Sequence, residues 1–268
     1  MKSYLSYFKL KIITGLQYKA SAIAGVMTQL FFGFVYISVY VAFYESGSTK
    51  SLPMPLDELV SYLWLCQSFF SLINLWYKDK EIINLIKTGN LAYELCRPQD
   101  LYFMWACKIL GERLSNVLLR FLPVILVGVI LPKPYTLDLT ISSTRFTLFI
   151  IIFILSTILM SFLILLYHII CMFTLDEKGI VNIFMVISDI LSGLVIPLPF
   201  FPNYLIKISN LFPFRYITEF PFRFYVGNIS VSEGINGIII QIIWIFILLI
   251  IGRILTKKAL NKAVIQGG

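Results

Sequence analysis

Residues 146–173 read FTLFIIIFILSTILMSFLILLYHIICMF, with no aspartate, glutamate, lysine or arginine. As an α-helix rising 1.5 Å per residue this run would be about 42 Å long, against a hydrocarbon core of roughly 30 Å. A bilayer can surround it on every side; the core of a small soluble domain cannot. Further apolar stretches occupy residues 20–44, 59–76, 114–131, 180–200 and 235–255, the third continuing a helix that starts nearer Leu101. Backbone groups in lipid must be paired internally, and long unbroken runs select helices over a barrel of short alternating strands. The expected fold is all-α and polytopic, with six transmembrane helices. Composition agrees, since 13% of residues are charged where soluble domains use about a quarter.

Six crossings return both termini to one side, and the basic residues say which. Lys2, Lys9, Lys11 and Lys19 precede the first span, Lys78, Lys80, Lys87, Arg97, Lys108 and Arg113 cluster between the second and third, and Arg253, Lys257, Lys258 and Lys262 follow the sixth. The opposite face holds fewer: Lys50, Lys133, Arg145, Lys207, Arg215 and Arg223. This asymmetry puts both termini in the cytoplasm. Anionic lipid headgroups beside the basic face account for the net charge of +8, so no nucleic-acid partner is expected. The first apolar run starts near residue 20 and is too long for the core of a cleavable signal. The expected location is the plasma membrane, in a bacterial cell.

Three segments flank the spans. In residues 1–19, Leu5, Phe8, Ile12 and Leu16 recur at helical spacing away from Lys2, Lys9 and Lys11, which predicts a cytoplasmic interfacial amphipathic helix. It would serve as an anchor or touch a moving cytoplasmic partner. Residues 20–255 form the transmembrane domain and 256–268 a cytoplasmic tail. Within the domain, residues 203–234 carry repeated aromatics and prolines without a span-length run. Short re-entrant or interfacial helices fit there, acting as a lid or as a plug that packs the bundle.

Ionisable groups inside spans are costly and need a partner or a cavity. Arg120, His168 and Asp189 are the intramembrane polar candidates, with Arg120 or His168 the expected partner of Asp189. Three readings of Asp189 are open: a pair that fixes the bundle, proton coupling, or exposure to a polar cavity. One histidine without a Cys, Asp or Glu cluster is not a metal site, and the four cysteines lack ligand spacing. The chain has no G-x-S-x-G, no H-E-x-x-H and no G-x-x-x-x-G-K-[ST] phosphate loop, so neither hydrolytic chemistry nor ATP binding is expected of it. It should be no enzyme and bind no cofactor itself.

Between spans two and three, residues 79–100 form the largest cytoplasmic loop. Asp79 opens an amphipathic helix with Ile82, Leu85 and Ile86 on one face; Thr88, Gly89 and Asn90 break it. A second short helix, LAYELC, places Leu91 and Leu95 on one side before Arg97 and Pro98 stop it. The pair would seat in a groove of another protein or lie on the membrane surface.

The stretch INLIKTGNLAYELCRPQDLYF resembles the "I-x-x-G-x-L-A-x-x-L-x-R-P" segment of ABC-2 type transporter permeases, in the six-helix subgroup grouped with antibiotic and multidrug exporters. SGLVIPLPFFPNYLIKISNLFPFRYITEFPFRFYVG is similar to that group's passage beyond span five, and ALNKAVIQGG to its basic tail. The resemblance implies an ABC-2, type V exporter-like transmembrane domain that pairs with a second permease, identical or related, and two cytoplasmic ABC ATPases. Those ATPases would bind ATP and Mg. It implies that residues 79–100 hold the coupling helix, with Ile86, Gly89, Leu91, Ala92, Leu95, Arg97 and Pro98 matching the segment that receives ATP-driven motion; Ile82 and Leu85 join it through the apolar face they share with Ile86. It also implies an external gate built from Pro197, Pro199, Phe201, Pro202, Pro213, Phe214, Tyr216 and Pro221, and Glu219, lying among them, is a further gate candidate. The expected function is outward movement of an amphiphilic substrate (drug, peptide or lipid-like). The alternatives are an ion- or proton-coupled secondary transporter using Asp189 and a non-transporting membrane scaffold.

Overall fold

The computed structural model describes residues 2–47, 52–174 and 177–262, and all its regular elements are helical. In chain order these are α1 (Lys2–Gly15), α2 (Lys19–Glu45), α3 (Leu56–Ser68), α4 (Phe70–Ile73), α5 (Lys80–Thr88) and α6 (Leu91–Leu95). There follow α7 (Leu101–Ile130), α8 (Ser143–Thr174), α9 (Glu177–Leu191), α10 (Asn203–Leu211), α11 (Glu219–Val226) and α12 (Val231–Lys262). Among the described residues α2, α7, α8 and α12 are long and apolar enough to cross a membrane. The chain is an all-α, multi-pass membrane protein. The end of the expected tail, from residue 263, lies outside the described residues.

The second and fifth apolar stretches depart from expectation, because neither is one continuous helix of span length. α3 ends at Ser68, whose hydroxyl turns back to the Trp64 carbonyl at 2.7 Å. The single turn of α4 follows, and the backbone is extended at Asn74, so helix stops short of Trp76. Arg113 on α7 explains the stop: its guanidinium donates to the Leu72 carbonyl at 2.9 Å and to the Asn74 carbonyl. It takes acceptors that a helix end leaves orphaned. Run together, α3 and α4 span about 27 Å at 1.5 Å per residue, close to the hydrocarbon thickness. In the fifth stretch α9 ends at Leu191 rather than near Phe200. Gly193 has φ 69°, a left-handed conformation that glycine alone adopts cheaply, and Pro197 follows before a 3-10 turn at Leu198–Phe200.

α8 is the spine. It lies along α12 and touches α7, α9 and α11, burying Ile152, Leu159, Met160, Leu163 and Ile164. Gln241 of α12 reaches into this seam and donates to Ser156 Oγ at 2.8 Å and to the Tyr216 carbonyl at 3.0 Å. In apolar surroundings each such bond removes a desolvation cost of about 1–3 kcal/mol, so it fixes register as well as contact. Phe69, at the α3–α4 break, gathers Phe121, Phe153 and Phe222, with ring centroids 5.8, 4.8 and 5.7 Å away. That cluster draws α11 into the bundle.

α1 runs beside the first half of α7 in the same direction. The Tyr4 hydroxyl accepts from the Asp100 backbone N–H at 2.9 Å, a Cβ on Gly111 would stand 3.0 Å from the Phe8 carbonyl, and Gly15 abuts Ser115. Leu5, Leu10 and Ile13 remain exposed, so an apolar edge is left over after this packing. Asp100 also pairs with Arg253 of α12 at 3.4 Å, which brings both ends of the described chain to the α5–α6 side of the bundle.

Candidate functional site

Residues 79–100 fold as two short helices around one glycine. Asp79 is the N-cap of α5, its Oδ1 accepting from the N–H groups of Glu81 and Ile82 at 2.9 and 3.0 Å. Gly89, φ 70°, ends the helix in the left-handed region, where a Cβ would be strained. α5 buries Ile82, Ile83 and Ile86, with Leu85 half-buried. In α6 the orientation corrects the expected face: Leu91 is only 4% exposed and joins the core, whereas Tyr93 is 74% exposed beside exposed Leu95. Arg97 and Pro98 are exposed next to Cys96, and Glu94 holds the Arg97 guanidinium at 3.3 Å. Nothing is described of the Ala92 side chain.

A clamp ties this segment to three other helices. Lys108 of α7 is 3% exposed and puts its ammonium 2.7 Å from Asp79, itself 3% exposed, and 2.6 Å from Glu81. Lys11 of α1 lies 3.3 Å from Glu81 and 3.4 Å from Glu112, and the Tyr77 hydroxyl donates to Glu112. On the far side His168 of α8 accepts the Asp79 backbone N–H on Nε2 at 3.1 Å while its Nδ1 meets the Ile164 carbonyl at 2.8 Å. Ion pairs thus join this segment to α1 and α7, and a neutral hydrogen bond from backbone to imidazole joins it to α8.

At the opposite end Glu219, first residue of α11, is 0% exposed between two arginines. Arg223 bonds it directly, and Arg215 Nε stands 3.0 Å from it as a charge contact. Arg223 continues to Asn228 at 2.8 Å, and Asn228 to Glu58 of α3 at 3.2 Å. The expected gate residues fall around this knot: Pro197, Pro213, Phe214, Tyr216 and Pro221 are buried, Pro199 and Phe201 half-buried, and Pro202 exposed.

The model of the ABC-2 family transporter proteins matches residues 56–267, most of the chain. The chain belongs to the ABC-2 family. No curated protein matches it. The matched region is a transmembrane permease domain without an ATPase fold, and proteins of the family pair with ATPase subunits and form dimers. Among the described residues of this ABC-2 permease no group of three or more His, Cys, Asp and Glu side chains is placed to hold a metal.

The three polar residues expected inside the spans do not meet. Asp189 accepts from the Trp76 indole N–H at 2.8 Å, not from Arg120 or His168. Arg120 lies over α2, 3.4 Å from the Ser21 carbonyl and against Gly25. His168 serves Asp79. The sequence reading missed Lys108 and Asp79 as a buried pair and Trp76 as the partner of Asp189. The signal for Lys108 was present: a lysine inside LYFMWACKILG, where apolar neighbours on both sides demand a counter-charge.

The clamp has a pH signature. The hydrogen bond and charge of Lys108 hold the Glu81 carboxyl below its ordinary range against the opposing effect of burial, with Lys11 adding to the same shift. Lys11 is raised: burial works against its charge, but Tyr7, Glu81 and Glu112 outweigh it. A lowered carboxylate stabilises above its unfolded pKa and loses that contribution as pH falls through the folded value; a raised lysine loses its own as pH rises through its folded value. The α1–α5 contact is thus strongest between the two ranges. Thermal midpoints of the parent and Glu81→Gln should differ at about pH 7 and draw together only as pH falls through the lowered folded value of Glu81, beneath the ordinary glutamate range; a gap that stays constant down through that range would show that charge is not what Glu81 contributes.

Proposed function

We propose that this permease is the membrane subunit of an ATP-driven exporter, working as one of two permeases with two cytoplasmic ATPases that hold ATP and Mg. Closure of the ATPases presses on α5–α6 of each permease. The clamp passes that displacement to α1, α7 and α8, and the bundle turns from inward- to outward-facing while the 203–234 region opens at the outer end. Hydrolysis resets it. The observation that carries the reading is the α5–α6 pair itself: two short helices anchored by buried Ile82, Ile86 and Leu91, bonded through the clamp to α1 and to the long helices α7 and α8, in a chain of the ABC-2 family. Six crossings, with α3–α4 and α9 as the broken ones, and cytoplasmic termini belong to this reading. The proton-coupled alternative draws no support from the geometry, because no hydrogen bond or ion pair among the described residues joins Asp189, His168 and Arg120.

The docking face follows from exposure rather than from hydropathy. Tyr93, Leu95 and Arg97 are presented outward while Leu91 is not. In the co-expressed complex, Tyr93→Ala combined with Leu95→Glu should weaken ATPase recruitment by about 2–4 kcal/mol, as for a hot spot, with the permease still folded. Leu91→Glu should instead destabilise the permease itself. Pull-down of the ATPase and the permease's own thermal midpoint, measured on both variants, separate the two; undiminished recruitment by the double variant would remove this face from the coupling route.

A further inference from the structure

Asp189 is an acidic side chain whose described hydrogen-bond partner is not a cation. It stands about 18 Å along α9 from Glu177 at 1.5 Å per residue, on a helix whose exposed residues include Ile183, Val186, Ile187 and Ile190. Asn182 and Val186 precede it on the same stripe at helical spacing. Its one polar partner among the described residues is a neutral indole, Trp76. Trp76 is 39% exposed and meets Phe70 edge-on, with centroids 5.8 Å apart at 84°.

That combination fits neither lipid exposure nor a bundle-fixing pair. A carboxylate facing acyl chains carries a large desolvation cost, and a bundle-fixing pair would supply a cation from another helix, which Arg120 and His168 do not. The indole N–H fixes Oδ1 and orients the ring, which leaves Oδ2 and the π face of the indole for a third group. A lone carboxylate is no metal site, and apolar walls disfavour a strongly hydrated ion. A weakly hydrated organic cation matches all three features, because its charge answers Asp189, its π contact answers Trp76 and its apolar body answers the aliphatic stripe.

We propose that Asp189 and Trp76 form the recognition site for the cationic group of the transported amphiphile. The proposal rests on the export reading for the word transported and on the side-chain geometry for the site. It sets the substrate class: amphiphiles with a quaternary or protonated nitrogen, or an equivalent onium centre, are bound, and matched anions are not.

The test uses the full chain in phosphatidylcholine nanodiscs, with radiolabelled tetraphenylphosphonium as probe and tetraphenylborate as its anionic counterpart of the same shape. Asp189→Asn keeps an acceptor for the Trp76 N–H while removing the charge. It should weaken phosphonium binding about tenfold without weakening tetraphenylborate, and Asp189→Glu should restore most of the loss. Trp76→Leu, which leaves the carboxylate, should weaken phosphonium about fivefold and serves where Asp189→Asn fails to fold. Failure of the parent to hold the phosphonium, an unchanged affinity in either variant, or an equal loss of both probes in Asp189→Asn overturns the site. Binding needs no ATPase, so export of the phosphonium by the assembled complex is scored separately. Charge-selective binding without ATP-driven export would leave the site standing and sink the export reading, and export that ignores Asp189→Asn would do the reverse.

Discussion

Lys108→Met is expected to cost the permease about 3–5 kcal/mol of stability and to abolish ATPase-coupled transport, because it strands the Asp79 carboxylate in a site built around an ammonium. Both side chains are almost wholly buried and 2.7 Å apart. The cost belongs to the unpaired charge rather than to the bond, which gives the prediction a second arm. Asp79→Asn in the same chain removes that charge, and asparagine caps a helix about as well as aspartate, so α5 keeps its start. The double variant should therefore recover much of the stability lost by Lys108→Met while coupling stays low. Thermal unfolding in detergent reads the first quantity, and permease-stimulated ATP hydrolysis in the reconstituted complex reads the second. Equal stability of the single and double variants would show that the pair is held by packing, not by charge.

Glu219→Gln should be about as damaging, again by roughly 3–5 kcal/mol, through the opposite imbalance. Here two guanidiniums, Arg215 and Arg223, converge on one fully buried carboxylate, and a neutral amide leaves them facing each other. The consequence is local to α11 and the turn at Gly193, whose carbonyl accepts the Tyr62 hydroxyl at 3.1 Å. A cysteine placed at half-buried Val226 should react with a membrane-impermeant maleimide faster in Glu219→Gln than in the parent, while one at buried Ile164 should not. Parent-like stability in Glu219→Gln would mean that the aromatic cluster around Phe69, and not the ion knot, holds α11 in place.

The long helices were legible because hydrophobic length leaves few alternatives: α8 runs Ser143–Thr174 where the sequence marked 146–173, and α7 starts at Leu101, near which the third helix was expected to begin. The start of α5 at Asp79 and its stop at Gly89 were legible from capping and turn chemistry. The breaks were not. α4 ends because Arg113, distant in sequence, supplies donors to its last carbonyls, and hydropathy has no term for a donor on another helix. The face of α6 was misjudged for a related reason, since a five-residue helix has too few turns for periodicity to tell Leu91, which points inward, from Leu95, which does not. Partner choice was the least legible of all. Asp189 with Trp76, and Lys108 with Asp79, join residues far apart in the chain, and one sequence holds no record of which of several buried charges meets which.

Asp100 touches Tyr4 at the start of α1 and Arg253 near the end of α12, so the two ends of the described chain lie beside the helices proposed to receive the ATPase. This has a practical use in protein engineering. An ATPase fused ahead of Lys2 or after Lys262 would be tethered on the side where it has to dock, at an effective concentration of about millimolar for a short flexible linker. On the proposed reading, with both termini cytoplasmic, a single-chain assembly of permease and ATPase could thus be built without threading a linker across the membrane.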